Sequence, residues 1–435
     1  IILIASMLRL AYLGAKSIWL DEAFSVWMAG RSFVQIWTTT ADNHPPLYYL
    51  LLRIWMVFGR DEALIRLPSV FISVLSLALI YLLARRLLSE NAALIAVVLL
   101  AFSPLDLWYA QEARMYVFVA SAALLLALGL VNMGWKGAVM ITLGFTVGLY
   151  IDYPIIPIWA VLSGIWLANW WEQGRSRRDL LIWLGASAAA WLLFMPQWSH
   201  LNLVVSRMSG IFIFANIREA LGLPEFGLLL PVIGLLLLAA GSFLAARWAS
   251  SIFSRKHIGS GLAILIVLGF IVINMLVPIP RVYSVKRLLE TAWPFVVLFI
   301  AWLAVEKLPH PGLFQISLII ISLIAALVAL LAVPKDDWRS ATAQINQDAG
   351  DNDIVWLEPS HGNLPYGYYE PLIDPTFTVN AVLEKPDVDV WHIAERQPNR
   401  PIPGSSAEIW LDKNRELLEV FPLYRLEVRH YSAEN

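Results

Sequence analysis

The sequence predicts an α-helical polytopic membrane protein, with about eleven transmembrane helices and a small C-terminal α/β domain. Three observations carry this. Of 435 residues, 59% are hydrophobic and 15% charged, against about 25% charged and roughly half apolar in soluble domains, which excludes a soluble globular enzyme. The apolar residues gather in runs close to the ~20 residues that span a bilayer. The charge is also divided: residues 335–435 hold 18 Asp and Glu against 9 Lys and Arg, and the preceding chain 15 against 22. An acidic, water-soluble tail thus follows a basic apolar body. The chain has no cysteine, which removes disulfides, thiol nucleophiles and Cys-ligated metals, and nothing indicates a nucleic-acid partner.

In order, the candidate spans are residues 1–14, 67–84, 91–108, 115–133, 137–151, 155–171, 180–196, 226–247, 258–277, 289–305 and 313–333. The first reads as the end of a membrane helix with a trimmed or processed start. A signal peptide is disfavoured, because no basic n-region or small-residue cleavage site is visible and many apolar runs follow. Leu47 to Phe58 is too short to span and follows Pro45-Pro46, so it is expected to lie in the interface. With it there, Arg85-Arg86, Lys136, Arg175/Arg177/Arg178, Arg255-Lys256 and Lys307 all face the cytoplasm, as the positive-inside rule prefers.

That orientation places the N-terminus in the cytoplasm of a multi-pass plasma (inner) membrane protein. Outside lie the loops 15–66, 104–114, 152–154, 197–225 and 278–288, and the tail from Pro334. Two domains are therefore expected: a transmembrane domain over 1–333, with the first outer loop 15–66 catalytic, and a soluble extracytoplasmic α/β domain over 334–435. In the tail, helical patterns cover Asp337 to Gln347 and Ala407 to Val420, and strand-like runs cover Asp353 to Leu357, Val388 to Ile393 and Leu423 to Tyr431.

The polar residues of interest fall on the outer face. Asp21 and Glu22 stand together in Trp19-Leu20-Asp21-Glu22-Ala23-Phe24, an apolar setting that raises carboxyl pKa values and suits a general base; equally, two acids simply favour a helix start. His44, ahead of Pro45-Pro46, is placed to hold an anionic group or to be a solvated turn residue. Glu112 and Arg114, in Gln111-Glu112-Ala113-Arg114-Met115-Tyr116, are candidates to bind the donor phosphate or substrate, or else to anchor the second loop, with Arg114 fixing a carboxylate of the first. Arg281, Lys286 and Arg287 are the one clear breach of the positive-inside pattern. An outward basic cluster at headgroup depth suits the phosphate of a lipid substrate, or anionic headgroups in general. Gly-rich phosphate loops, Walker motifs, His-Glu-x-x-His and nucleophile elbows are absent.

Taken together, Ser17-Ile18-Trp19-Leu20-Asp21-Glu22-Ala23, His44-Pro45-Pro46-Leu47-Tyr48-Tyr49, Arg66-Leu67-Pro68-Ser69 and Gln111 to Tyr116 resemble the GT-C membrane glycosyltransferases. The similarity is to the protein O-mannosyltransferases and aminoarabinose transferases of glycosyltransferase family 39. It is specific over residues 15–120 and weaker in the tail, where Asp337-Trp338-Arg339 is the familiar feature. The resemblance implies a polyprenyl-phosphate sugar donor and inversion at the anomeric carbon on the outer face. It further implies Asp21 as the base on the acceptor, Glu22 in support, His44 near the donor phosphate, and Arg281, Lys286 and Arg287 gripping that phosphate. Where many relatives carry Tyr-x-His-Tyr, this chain has Tyr150-Ile151-Asp152-Tyr153; the missing His removes support for a metal there, and Asp152 is left to contact the acceptor or nothing. No cofactor is firmly implied: a nucleotide-coordinating metal is not required, since cationic side chains can neutralise a single phosphate, and a divalent metal is left open without support. The acceptor is a protein, a lipid or a glycan. The rival expectations are a lipid-linked sugar flippase, which calls for charges within the spans, and an inactive scaffold subunit.

Overall fold

The computed structural model describes residues 1–39, 42–172, 174, 176–209, 229–252, 285–308, 311–331, 334–396 and 406–434. The chain forms two compact units, each assembled from separate stretches. One comprises Ile1–Ala11, Phe33–Leu51 and Leu67–Leu330; the other comprises Tyr12–Ser32, Leu52–Arg66 and Leu331–Asn435.

In chain order the helices are α1 (Ile2–Leu10), α2 (Leu20–Ala29), α3 (Phe33–Thr38), α4 (Leu47–Trp55), α5 (Glu62–Leu87), α6 (Glu90–Ala101), α7 (Pro104–Ala110), α8 (Tyr116–Val131), α9 (Trp135–Ile151), α10 (Ile155–Glu172), α11 (Arg177–Phe194), α12 (Trp198–Ser209), α13 (Leu229–Ile252), α14 (Val285–Trp302), α15 (Pro311–Leu331), α16 (Trp338–Asp348), α17 (Asn363–Tyr368), α18 (Val379–Leu383) and α19 (Ser406–Asn414). Glu62–Leu87, Arg177–Arg207 and Gly312–Leu331 are each long and apolar enough to cross a membrane. Helices α6 and α7 form a fourth such stretch, bent by 53°. The sequence reads residues 91–108 as one continuous span; the break arises because Pro104 disfavours helical geometry at Ser103. Ser103 instead caps α7, accepting a hydrogen bond from the Asp106 amide at 3.2 Å. The span expected over 258–277 lies outside the described residues.

Within the first unit, α8 and α9 touch backbone to backbone at Gly144. A Cβ there would sit 2.7 Å from the Leu126 amide nitrogen and 2.8 Å from the Ala122 carbonyl, so only glycine permits this approach. Two of its buried charges pair near helix ends. Arg9, in the last turn of α1, binds Asp106 in the first turn of α7. Ser73 bridges them, accepting from Arg9 Nε and donating to Asp106 Oδ2, both at 2.6 Å. Arg9 Nη1 also donates to the Ala101 carbonyl at 3.1 Å.

In the second unit, strands β1 (Ile354–Glu358), β2 (Pro375–Thr376), β3 (Val390–Glu395), β4 (Leu417–Leu423) and β5 (Leu426–Tyr431) form one sheet in the order β2-β1-β3-β5-β4. Strands β2, β1 and β3 run parallel, and β5 is antiparallel to β3 and β4. A central strand covered on both faces needs apolar residues throughout, and β1 supplies them. Val355 and Leu357 pack with Trp338, Ala341 and Ile345 of α16, while Ile354 and Trp356 pack with Val382 and with Ala407 and Leu411 of α19. The sequence extends the last helix to Val420, but α19 ends at Asn414 and Leu417 already belongs to β4. Pairing of Leu417 with Tyr431 and Leu423 with Leu426 closes a hairpin over Tyr424-Arg425, and this cross-strand register overrides the local helical pattern.

His392 on β3 is fully buried, and neither ring nitrogen has a hydrogen-bond partner among the described residues. Burial outweighs the nearby Glu358 and Glu408 carboxylates and pushes its pKa down from 6.5 to about 4. The unfolded chain takes up this proton near pH 6.5 and the folded one only near pH 4, so stability falls as pH is lowered through that window, by about 3 kcal/mol in full. His392→Phe is expected to flatten this acid limb, read as the pH dependence of thermal unfolding of the tail.

Candidate active site

The first site residues lie in the second unit, at the start of α2. Asp21 and Glu22 occupy its first turn, where carboxylates meet the positive end of the helix dipole. Glu22 is completely buried and committed to an ion-pair node. Arg66 grips it with both arms, Nε to Oε1 and Nη2 to Oε2, each at 2.8 Å. Lys335, just after α15, adds a bond to Oε2 at 2.9 Å. Arg66 spends its remaining donors on the carbonyls of Leu13, Lys16 and Ser17, at 2.8, 2.9 and 3.2 Å, so all five guanidinium N–H groups are used. Asp21 is half-buried, and its backbone carbonyl accepts from Ser25 Oγ at 3.0 Å.

A second node ties the tail to the same loop. Arg339 Nη2 binds Glu62 Oε1 at 2.7 Å and the Gly14 carbonyl at 2.8 Å. Tyr369 donates to Glu62 Oε1 at 3.0 Å and accepts from the Ile18 amide at 2.7 Å. The Asp337-Trp338-Arg339 segment is thus structural here: Asp337 caps α16, Trp338 is core, and Arg339 clamps the loop.

In the first unit, His44 and Asp152 pair directly, Nδ1 to Oδ1 at 3.1 Å, both almost fully buried. Asp152 Oδ1 also accepts from the Tyr153 amide at 2.9 Å. Tyr153 O–H lies 2.7 Å from His200 Nδ1, and His200 Nε2 lies 3.1 Å from the Asp42 carbonyl. The Asp42 carboxylate accepts from Tyr49 O–H. Burial pulls His44 down, but the Asp152 and Asp42 carboxylates outweigh it and hold its pKa above the ordinary histidine value. Burial likewise raises Asp42, but His44 and Arg114 together with the Tyr49 and Asn43 hydrogen bonds bring it below the usual aspartate value. Arg114 is thus one of the charges that favour the Asp42 carboxylate.

Glu112 and Arg114 are buried in the turn between α7 and α8. Lys286 and Arg287 fall in the first turn of α14, and Arg281 lies outside the described residues. Sequence reasoning missed the parts played by Asp42, Tyr49, Tyr153, His200 and Lys335. Lys335 carried a usable signal, since a lone base directly after an apolar helix invites a carboxylate partner. Among the described residues, Asp353, Asp389 and His430 form the one group of three whose potential metal-ligand atoms lie within 4.8 Å of one another. Each is already hydrogen-bonded, His430 to Asp389 at 2.9 Å and Asp353 to the Trp391 indole at 3.0 Å.

The sequence profile of the dolichyl-phosphate-mannose-protein mannosyltransferase family matches residues 43–200. No curated protein sequence is significantly similar to the chain. Among solved structures, ArnT from Cupriavidus metallidurans in the apo state superimposes with a TM-score of 0.59 at 14% identity, over 98% of this chain and 96% of its own. The same protein bound to undecaprenyl phosphate gives 0.57 at 13% identity and the same coverage. The Archaeoglobus fulgidus oligosaccharyltransferase, solved with zinc and sulfate, gives 0.52 at 12% identity over 91% of this chain and 67% of its own. The chain therefore shares the fold of these solved membrane-enzyme structures over nearly its whole length, and residues 43–200 are similar to the dolichyl-phosphate-mannose-protein mannosyltransferase family.

Proposed function

We propose that the chain is an inverting glycosyltransferase that moves a sugar from a polyprenyl-phosphate donor to an acceptor on the outer face of the membrane. The observation that carries this reading is the correspondence along 98% of the chain with a fold solved, in ArnT, with undecaprenyl phosphate bound. In this reading Asp21 takes the proton of the acceptor hydroxyl or amine as that atom attacks the anomeric carbon. The bond to the polyprenyl phosphate breaks on the opposite face, inverting the centre, and the phosphate leaves with the electron pair. His44, whose cationic form Asp152 and Asp42 favour, supplies positive charge toward the leaving group, as do Arg281, Lys286 and Arg287. Glu22 positions α2 through Arg66 and Lys335 and takes no proton. Eleven spans put the domain from residue 334 on the outer face with the first loop.

The experiment is incubation of the purified protein in lipid nanodiscs with a panel of polyprenyl-phosphate sugars, following release of polyprenyl phosphate by mass spectrometry. Release from one donor names the sugar; silence across the panel overturns the reading. The buried pair adds a pH prediction. Asp152→Asn removes the nearest anion from His44 and lowers its pKa, so the alkaline limb of the turnover profile moves to lower pH. An unmoved limb shows that His44 protonation does not govern turnover.

A further inference from the structure

The second unit contains a cleft of about 960 Å³, at the upper end of the ~300–1,000 Å³ usual for small-ligand sites, which the glycosyl-transfer chemistry leaves unused. One wall is the outer face of α2, where Trp27 is 40% exposed and carries the Arg31 guanidinium 3.8 Å above its ring. The end of α17 also lines it, where Tyr368 stands edge-on to Tyr369 with centroids 5.0 Å apart and donates its hydroxyl to the Arg60 carbonyl. The Arg339–Glu62–Tyr369 node also lines the cleft, so its tyrosine side is held by bonds already formed. Around the mouth, the side chains of Arg60, Asn363 and Glu370 make no hydrogen bond among the described residues.

The charges decide what such a cleft holds. Arg31, Arg60 and Arg339 are balanced by Asp61, Glu62 and Glu370, so the site offers no net attraction to a phosphate, and its charged rim excludes an acyl chain. A lining that combines aromatic rings with planar polar side chains fits a pyranose. Its C–H face packs on an aromatic ring, and its neighbouring hydroxyls take paired bonds from guanidinium, carboxylate and amide groups. We propose that this cleft binds a neutral oligosaccharide, and that the acceptor of the reaction is a glycan. The acceptor half of this inference rests on the glycosyl-transfer reading above; the binding half stands alone.

The test is binding of cellotetraose, mannotetraose and chitotetraose, and of a Ser/Thr-rich octapeptide, to the full chain in nanodiscs by saturation-transfer NMR and calorimetry. At least one tetrasaccharide is expected to bind. Trp27→Ala and Tyr368→Ala should each weaken it about tenfold or more, the equivalent of one lost stacking contact. Arg60→Ala, at an exposed position and harmless to folding, should weaken it about fivefold. Trp135→Ala, an exposed tryptophan outside the cleft, should leave binding unchanged. Failure of every tetrasaccharide, affinity unaltered by Trp27→Ala and Arg60→Ala, or Trp27-dependent binding of the peptide alone would each overturn the proposal. Polyprenyl-phosphate release measured on the same preparations separates the two readings. Release without saccharide binding overturns the cleft and leaves the reaction; saccharide binding without release supports the cleft and overturns the reaction.

Discussion

Asp21→Asn is expected to lower donor turnover by about 10²–10⁴-fold, the usual contribution of a general base, while leaving the unfolding temperature unchanged. The substitution keeps the size of the side chain and removes only its capacity to take a proton. Its neighbour makes the prediction specific. Glu22 cannot substitute as the base, because both its oxygens accept charged donors from Arg66 and Lys335 and its side chain is wholly enclosed. Protonating it would break three charge-assisted bonds at once. Asp21 is only half-buried and lies about 100° round the helix from Glu22. Turnover and melting should therefore separate cleanly between the two positions: Asp21→Asn loses turnover alone, and Glu22→Gln loses stability first. Wild-type turnover in Asp21→Asn would remove Asp21 from the chemistry.

The helical body was legible because bilayer thickness imposes a run length that hydropathy reveals directly. The α6–α7 bend was not, since Ser103-Pro104 is short enough to be averaged into the surrounding apolar run. The tail strands β1, β3 and β5 were legible from their apolar runs, whereas β4 was absorbed into a helix because its identity depends on pairing with β5, a partner no local pattern displays. The site divides in the same way. Asp21, His44 and Asp152 stood out singly by residue type and loop position. That His44 meets Asp152 across 108 residues, and Lys335 meets Glu22 across 313, is a product of the tertiary fold. Adjacent acids such as Asp21 and Glu22 look equivalent in sequence and become different only when one is enclosed with a guanidinium.

Arg66→Ala should cost about 3–5 kcal/mol in the second unit, the range for removing one partner of a buried ion pair. Three carbonyls, of Leu13, Lys16 and Ser17, lose their donor together with the Glu22 carboxylate, and Lys335 remains to hold one oxygen. Arg66→Lys should fall between, because three donors on a single nitrogen cannot reproduce a five-donor fork. Hydrogen exchange of the loop and tail amides in nanodiscs would show the loss as faster exchange across residues 12–32 and 334–348. The informative variant replaces the whole node, Glu22→Leu with Arg66→Met and Lys335→Met. Apolar replacement of a complete buried charge cluster is often neutral or stabilising, so exchange protection should return. Turnover should not return if the node serves to hold the first turn of α2, and with it Asp21, in one orientation. Full recovery of both would reduce the node to packing; protection without turnover would make it the device that aims the base.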